Sequence, residues 1–589
     1  MLETDDSPEA VMQRTRKARV EILLRMGRTQ EARRAIEGLV DENSDAAGVE
    51  LLLGRLDLQE ALSFSEAAPG RSQRLESARR RFREARRLDP LGGAHSRQAT
   101  YWLAKVQEHL GKPEEALALY NRAARQFGDS PEGVAAALAE ADLELDALRL
   151  EQAVAGYRRV VESMRNPAAS SNPLLPASVF RKRMVEAHQR FIAEQDFEDA
   201  LTLVDLLESV FSHLECVQLR AKTHDAWGRS LAEAALREDP WNATEVNRGS
   251  RFHFRAAGRS FEDLARLRFA SRFFTDDLMS AAESYFAGQG YASAARVLRE
   301  YLQHEARRRN ARALLLLGRS LLARNEPEKA IHALAECAEM HPRDAAVYQA
   351  RLEQARAHRQ LGEFEKAEQQ LLKNLVGDTL TPDSMEWRDS LFALGRLMFD
   401  AGRYDAAISR LEEAVARYPD ADEFLLAKYT IARSHHNASA EPARRLREAK
   451  TENERQKNRS QLEHYLTRAH DTYVDVQRRL ALNGLSEGNT LHHTLLRNCY
   501  MMQGSVLFEL RQFEKARQAF ANVVTYYQHE PFVLEAFVQI ANCSRRLDDP
   551  VKAKANIAQA MLKLKELPTD ADYRVSTNFT RQQWGLLLA

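Results

Sequence analysis

Apolar positions between Trp387 and Pro419, WRDSLFALGRLMFDAGRYDAAISRLEEAVARYP, recur at helical spacing, stop, and resume. Leu391, Leu394, Gly395 and Met398 share one helix face, Ala401-Gly402-Arg403 interrupts the pattern, and Ala407, Leu411 and Ala414 restore it until Pro419 forbids continuation. The pattern predicts an antiparallel helical hairpin. Gly395 and Ala407 mark a close approach, Leu411 fills the space beside them, and Tyr404 closes the turn. One hairpin cannot bury both of its apolar faces, so the unit predicts stacked copies.

Copies are found along the whole chain. The rows of Gly395, Ala407 and Leu411 are occupied by Val20, Ala32 and Ile36, by Gly54, Ala78 and Phe82, by Ala104, Ala116 and Tyr120, and by Ala141, Ala153 and Tyr157. His188 and Ala200 continue the two small rows after a surface loop expected at 165–178, rich in Asn, Pro, Ser and Ala. The turn of the second hairpin carries an extra loop at 67–70. Trp227-Gly228 and Ala257-Phe261-Leu264 read as a stretched repeat whose turn is enlarged around 239–243.

From Asp277 the register tightens, and Gly318, Ala355, Gly395 and Ala432 follow at steps of 37, 40 and 37 residues. Residues 438–460, ASAEPARRLREAKTENERQKNRS, lack an apolar stripe and are expected as either a solvated helical extension or a mobile loop. Two compact hairpins follow, through Gly504, Ala516 and Phe520 and then Ala541, Ala553 and Ile557. The stretch Thr577 to Leu588, with Phe579, Trp584, Leu586 and Leu587, is expected to form a final helix covering the face around Phe537, Ile540 and Ile557.

Composition agrees with a long, helix-rich chain: 589 residues, 44% apolar and 29% charged, with only 25 Gly and 17 Pro. Acidic and basic side chains balance at 85 each, which removes a global electrostatic drive toward nucleic acid or anionic lipid. Cys216, Cys337, Cys499 and Cys543 are far apart, so neither a disulfide framework nor a zinc site is expected. No run is long and apolar enough to span a bilayer. The chain as given therefore reads as cytoplasmic, with a periplasmic or membrane-associated place as the alternative if a signal or anchor precedes it.

The hairpin resembles the tetratricopeptide repeat, with its Leu-Gly pair, an aromatic at the turn, an Ala-x-x-x-aromatic-x-x-Ala run and a late Pro. Leu394-Gly395, Tyr404, Ala407, Leu411, Ala414 and Pro419 stand in those places, as do Leu317-Gly318, Pro327, Ala330, Leu334, Cys337 and Pro342. The long step is similar to bacterial envelope-type members. The resemblance implies an all-α solenoid, a right-handed superhelix of about thirteen hairpins. It divides into a flexible N-terminus at 1–14, an irregular array at 15–271, a regular central array at 272–437, the charged insertion at 438–460, further hairpins at 461–567 and the capping helix at 568–589. It also implies a non-catalytic scaffold that binds a protein or peptide in a groove lined by first helices. The alternatives are an envelope-assembly or cell-division factor tethered to a membrane and a nucleic-acid-binding regulator.

In that family the binding residues vary, so candidates are positions the packing does not demand. One residue past the Gly395 row stand Arg319, Arg356, Arg396 and Arg433, preceded in earlier hairpins by Arg55, Lys105 and Arg229. Four residues before the central four lie Leu315, Leu352, Phe392 and Tyr429. A ladder of guanidinium groups over an apolar floor suits an acidic or carboxylate-ended partner segment. Alternatively the arginines pair with neighbouring acids such as Glu353 or Asp400 and solubilise the inner face. The family's Lys and Asn arrangement for C-terminal carboxylates is missing.

Other chemistry is weaker. Arg79, Arg80, Arg81, Arg83, Arg86 and Arg87 form a basic helix, but Ala78, Phe82 and Ala85 use one face for packing and Glu76 and Glu84 dilute the charge, which favours a solvated outer helix over a nucleic-acid surface. His435-His436 and His492-His493 face different directions on a helix and predict no metal site. Nucleotide, hydrolase, zincin and dinucleotide motifs are missing; Gly288-Gln289-Gly290 falls at a hairpin turn. No enzyme activity, cofactor or nucleic-acid partner is expected.

Overall fold

The computed structural model describes residues 8–40, 45–66, 68–90, 92–165, 172–238, 240–304, 310–376, 379–482, 490–568 and 571–589. Among these residues the chain is all-α, a repeat solenoid without strands. Two units are distinguished, residues 1–230 with 256–271 and residues 231–255 with 272–589.

The first unit opens with paired helices α1 (Pro8–Arg25) and α2 (Thr29–Val40), α3 (Ala46–Ser63) and α4 (Pro69–Leu88), α5 (Ala94–His109) and α6 (Pro113–Phe127), α7 (Pro131–Asp146) and α8 (Leu150–Met164), and α9 (Ala177–Ala193) and α10 (Phe197–Leu207). Helices α11 (His213–Ala235) and α12 (Pro240–Leu267) are divided between the units. The second unit continues with α13 (Phe274–Ala287) and α14 (Tyr291–His304), α15 (Ala311–Ala323) and α16 (Pro327–Met340), α17 (Ala346–Gln360) and α18 (Phe364–Leu375), and α19 (Met385–Asp400) and α20 (Tyr404–Arg417). Next come α21 (Phe424–Ala438), α22 (Ala440–Glu448) and α23 (Glu452–Leu482), then α24 (Thr490–Glu509) with α25 (Phe513–Tyr526) and α26 (Val533–Arg546) with α27 (Pro550–Glu566). Short helices α28 (Tyr573–Ser576) and α29 (Arg581–Leu588) end the chain.

The small rows are explained by contact. A Cβ on Gly395 would meet Leu411 Cδ2 at 2.4 Å, one on Gly318 would meet Leu334 Cγ at 2.4 Å, and one on Gly504 would meet the Phe520 ring at 2.6 Å. Ala407 and Leu411 are fully buried, as are Ala330 with Leu334 and Ala516 with Phe520. The turns repeat one backbone solution. A residue at positive φ ends the first helix, and the amide after it reaches back five residues, as in Arg403 N to Met398 O at 2.9 Å and Glu326 N to Leu321 O at 3.0 Å. Gly111, Gly362 and Gly402 adopt it without a Cβ penalty, whereas Leu148, Gln195, Gln289, Asn325, Arg511 and Asp548 adopt it with one.

Several expectations need correction. Residues 8–14, read as part of a flexible N-terminus, belong to α1, because Pro8 suits a helix start and Ala10, Met12 and Gln13 are good helix formers; residues 1–7 lie outside the described residues. Of the enlarged turn at 239–243, Asp239 lies outside the described residues and 240–243 are helical instead: Pro240 sits at the first position of a 28-residue helix, where its missing N–H costs nothing, and the stretch in the repeat comes from long helices. In the extra loop at 67–70, Ala67 lies outside the described residues, while Pro69 and Gly70 already start α4. Of the surface loop at 165–178, residues 166–171 lie outside the described residues. Its end is not superficial: Leu175 is buried, and Asn172 donates its side-chain amide to Pro131 O at 2.9 Å.

The charged insertion is helical, forming α22 and the start of the 31-residue α23, whose Leu466, Ala469, Tyr473 and Val476 then enter the core. Of the final helix, only Trp584 and Leu588 are buried, against Val533, Leu534, Phe537 and Ala560, with Ile557 packed beside them. Leu586 and Leu587 point outward, because an eight-residue helix has one inward stripe, and Ile540 packs instead with Phe520 and Val523.

Candidate functional site

Within the second unit, α13, α15, α17, α19 and α21 each touch the next first helix, whereas successive second helices make no comparable contact. The first-helix face is therefore the inner one there, and residues one past the small row point onto it.

The arginine ladder divides into paired and unpaired members. Arg319 lies 3.6 Å from Glu353 and stacks over the Phe286 ring at 5.3 Å. Arg356 reaches the same Glu353 carboxylate at 3.0 Å. One turn on, Arg359 pairs with Asp400 at 2.8 Å. Arg433 stacks over Phe399 at 4.7 Å with no ion pair among the described residues. Arg396 differs from all of these. It is half-buried, and no acid of the described residues lies within ion-pair distance. Burial lowers its pKa most; all the other influences act through space, Glu423 opposing the shift, Arg359 and Arg356 adding to it and Asp389 opposing it more weakly.

The apolar floor is a correction. Leu315, Leu352, Phe392 and Tyr429 are all buried, with Phe392 fully enclosed by Trp387, Leu411, Ala414 and Ile431. Phe392 lies one turn nearer the start of α19, at a level where Leu411 and Ala414 of α20 and Ala427 and Ile431 of α21 close over the helix, so that level of the face is filled instead of lying open beneath the arginine. Phe286 and Phe399, four residues after the small row, supply the accessible aromatic surface instead. Both are half-buried and both carry a guanidinium from a following hairpin. The signal was available in the sequence as the same residue, Phe, at the same offset from Ala282 and Gly395.

Earlier members of the row are occupied. Arg55 stacks over Trp102 at 5.3 Å and lies 3.6 Å from Glu21, Lys105 meets Glu108 at 3.1 Å, and Arg229 meets Asp225 at 2.9 Å.

His435 is buried beside Tyr465, and its pKa is pushed down to about 4 by burial, then Arg468 and His464, while His436 turns to Glu509 at 2.8 Å. The two rings share no ligand, and among the described residues no His, Cys, Asp and Glu group has metal-binding geometry. Burial raises the thiols of Cys216, Cys337 and Cys543 to about 11 and that of Cys499 to about 12. Gly288-Gln289-Gly290 joins two helices, with Arg255 Nε donating to Gly288 O at 2.7 Å. No helix among the described residues is long and apolar enough to cross a membrane.

Family models described as tetratricopeptide repeat match residues 70–131, 279–345, 319–384 and 388–430. No curated protein matches the chain. Among solved structures, a tetratricopeptide repeat protein from Parabacteroides merdae is 12% identical, covering 53% of this chain and 98% of its own, at a TM-score of 0.32. The Cut9–Hcn1 assembly of the APC/C is 12% identical over 91% of this chain and 96% of that one, at 0.27. Yeast Tom70 is 10% identical over 91% and 94%, at 0.29.

Proposed function

The chain is a tetratricopeptide repeat protein, and on that premise we propose that it is a non-catalytic protein-interaction scaffold whose second unit takes an acidic partner segment on its first-helix face. One observation carries this reading. Arg396 is a half-buried guanidinium without an acid partner, set between Arg356, Arg359 and Arg433 on a face that also offers Phe286 and Phe399. A cation taken partly out of water and left unpaired is unfavourable in the isolated protein, and a carboxylate from outside relieves it through a bidentate hydrogen bond. Arg319 and Arg356 contribute less, because each already has the Glu353 carboxylate within ion-pair distance.

The test is affinity capture with quantitative mass spectrometry, comparing wild type, Arg396→Glu and a second-helix control, Lys366→Glu. Partners lost with the first reversal and kept with the second support the reading; identical partner sets in all three overturn it. Captured segments are expected to be acidic and their retention to fall with salt.

A further inference from the structure

The α17–α18 hairpin carries a groove away from the arginine row. Arg351 and Arg356 stand five residues apart on α17, a rotation of about 140°, so Arg351 does not share the inner face. Tyr348 and Arg351 of α17, Leu372, Lys373 and Val376 at the end of α18, and Pro342 from the link between α16 and α17 line a cavity of about 890 Å³. Tyr348 and Arg351 are three residues apart and Leu372 and Val376 four, so each helix turns one stripe into the groove. Asn374 ties the helices together at this level. It is buried and donates to Tyr348 O at 2.9 Å and to Ser390 Oγ at 3.0 Å.

The groove is apolar along its floor and open to water. Tyr348 and Leu372 are half-buried, Pro342 is exposed, and Val376 is 76% exposed. The charge beside this surface is positive and unanswered. Arg351 lies over the Tyr348 ring at 5.7 Å, and its Nη1 reaches Lys373 O and Asn374 Oδ1 only at 3.5 Å, the outer limit of a hydrogen bond. The first of these contacts sets Arg351 against the backbone of Lys373, whose Nζ donates to the neutral Gln370 Oε1 at 3.3 Å. Neither cation has an ion pair among the described residues. Of the acids on the two helices, Glu353 faces Arg319 and Arg356, and Glu368 holds Arg403 at 2.6 Å. Glu365 precedes Lys373 by eight residues, about 12 Å along the axis.

We propose that this groove docks an extended segment of a partner protein in which a large apolar side chain is flanked by aspartate or glutamate. The apolar side chain covers Tyr348, Leu372 and Val376, and its acidic neighbours reach Arg351 and Lys373, so one short segment satisfies both halves of the groove. Two cations beside the floor disfavour a basic segment, and the apolar floor disfavours a purely polar one. A small molecule would remain largely in water on so open a surface, whereas a peptide covers it with several residues. The site does not use Arg396.

A random twelve-residue peptide library displayed on phage is selected on the immobilised full chain, and the consensus peptide is then titrated by fluorescence anisotropy. The consensus is expected to combine a Leu, Ile or Phe with two or more acids. Lys373→Glu is expected to weaken its binding about tenfold or more and Val376→Ser about fivefold, while Lys366→Glu, two turns before Lys373, leaves it unchanged. Lys373 and Val376 are exposed, so their variants test the site without disturbing the fold, which helical circular dichroism checks. A consensus without acids, without a large apolar residue, or unmoved by either groove variant overturns the proposal, as does a selection that enriches nothing. A consensus lost with Arg396→Glu and kept with both groove variants overturns it too, while supporting the inner-face reading, so the two readings fail separately. Self-association of the chain that both groove variants abolish in sedimentation places a second copy in the groove and likewise overturns it.

Discussion

Replacing Arg396 by Met is expected to stabilise the protein while weakening its capture of partners. Met keeps an unbranched stem in the same space and removes a charge that burial disfavours most and that has no ion-pair partner, Glu423 offsetting part of that cost through space. Exchanging a half-buried charge that has no ion-pair partner for an apolar side chain is worth about 1 kcal/mol in stability, taking the low end of the range for fully buried groups. In a cooperative unit of roughly 150–250 residues that raises Tm by about 2–4 °C. The same change removes a charge-assisted contact worth about 2 kcal/mol to an anionic ligand, or roughly thirtyfold in Kd. Urea denaturation and thermal melts give the first number, and anisotropy with a labelled oligoglutamate peptide gives the second. Arg359→Met is the control, since it breaks the pair with Asp400 and should lose up to about 1 kcal/mol. If Arg396→Met lost 1 kcal/mol or more, the guanidinium would have an internal partner and the ladder would be structural.

Gly395→Ala should cost about 1–3 kcal/mol, because its Cβ meets Leu411 Cδ2 at 2.4 Å, and the penalty should shrink in a Leu411→Ala background when the two are compared in a double-mutant cycle. Trp584→Ala should cost about 3–5 kcal/mol and expose Phe537 and Ile557, read as a lower melting temperature with aggregation on heating. Acidification should destabilise the fold through His188 and His435. Each has a folded pKa of about 4, set first by burial, against the ordinary value of 6.5. The unfolded chain therefore binds more protons between those values, and stability present above pH 6.5 is lost as pH falls toward 4. The loss by pH 4.5 is about 2 kcal/mol for each ring, and His188→Gln should flatten the urea midpoint between pH 7 and 4.5.

Hairpin packing was legible because it is dictated by volume. Gly395, Ala407 and Leu411 can each be read as small, small and large without knowing anything beyond the helical period. Contacts set by rotation between hairpins were not legible. Phe392 and Phe399 lie seven residues apart and look equally suited to a groove, but one is enclosed by the next hairpin and the other faces the arginine of that hairpin. Ion pairing was half legible: Glu353 and Asp400 could be named as acids within reach, whereas their sharing by Arg319, Arg356 and Arg359 depends on side-chain paths. Pro240 misled because proline ends a helix and also begins one, and only its place at the first position of α12 distinguishes the two.

Among the described residues, ten inter-helix turns share a positive-φ residue and a backward amide bond, and they accept Gly, Leu, Gln, Asn, Arg and Asp at that position. A connector whose angle is set by main-chain atoms works like a standard mechanical coupling, indifferent to the part it carries. Each hairpin can change its surface chemistry without altering how the chain reverses between its two helices, so unlike surfaces fit on one repeated framework.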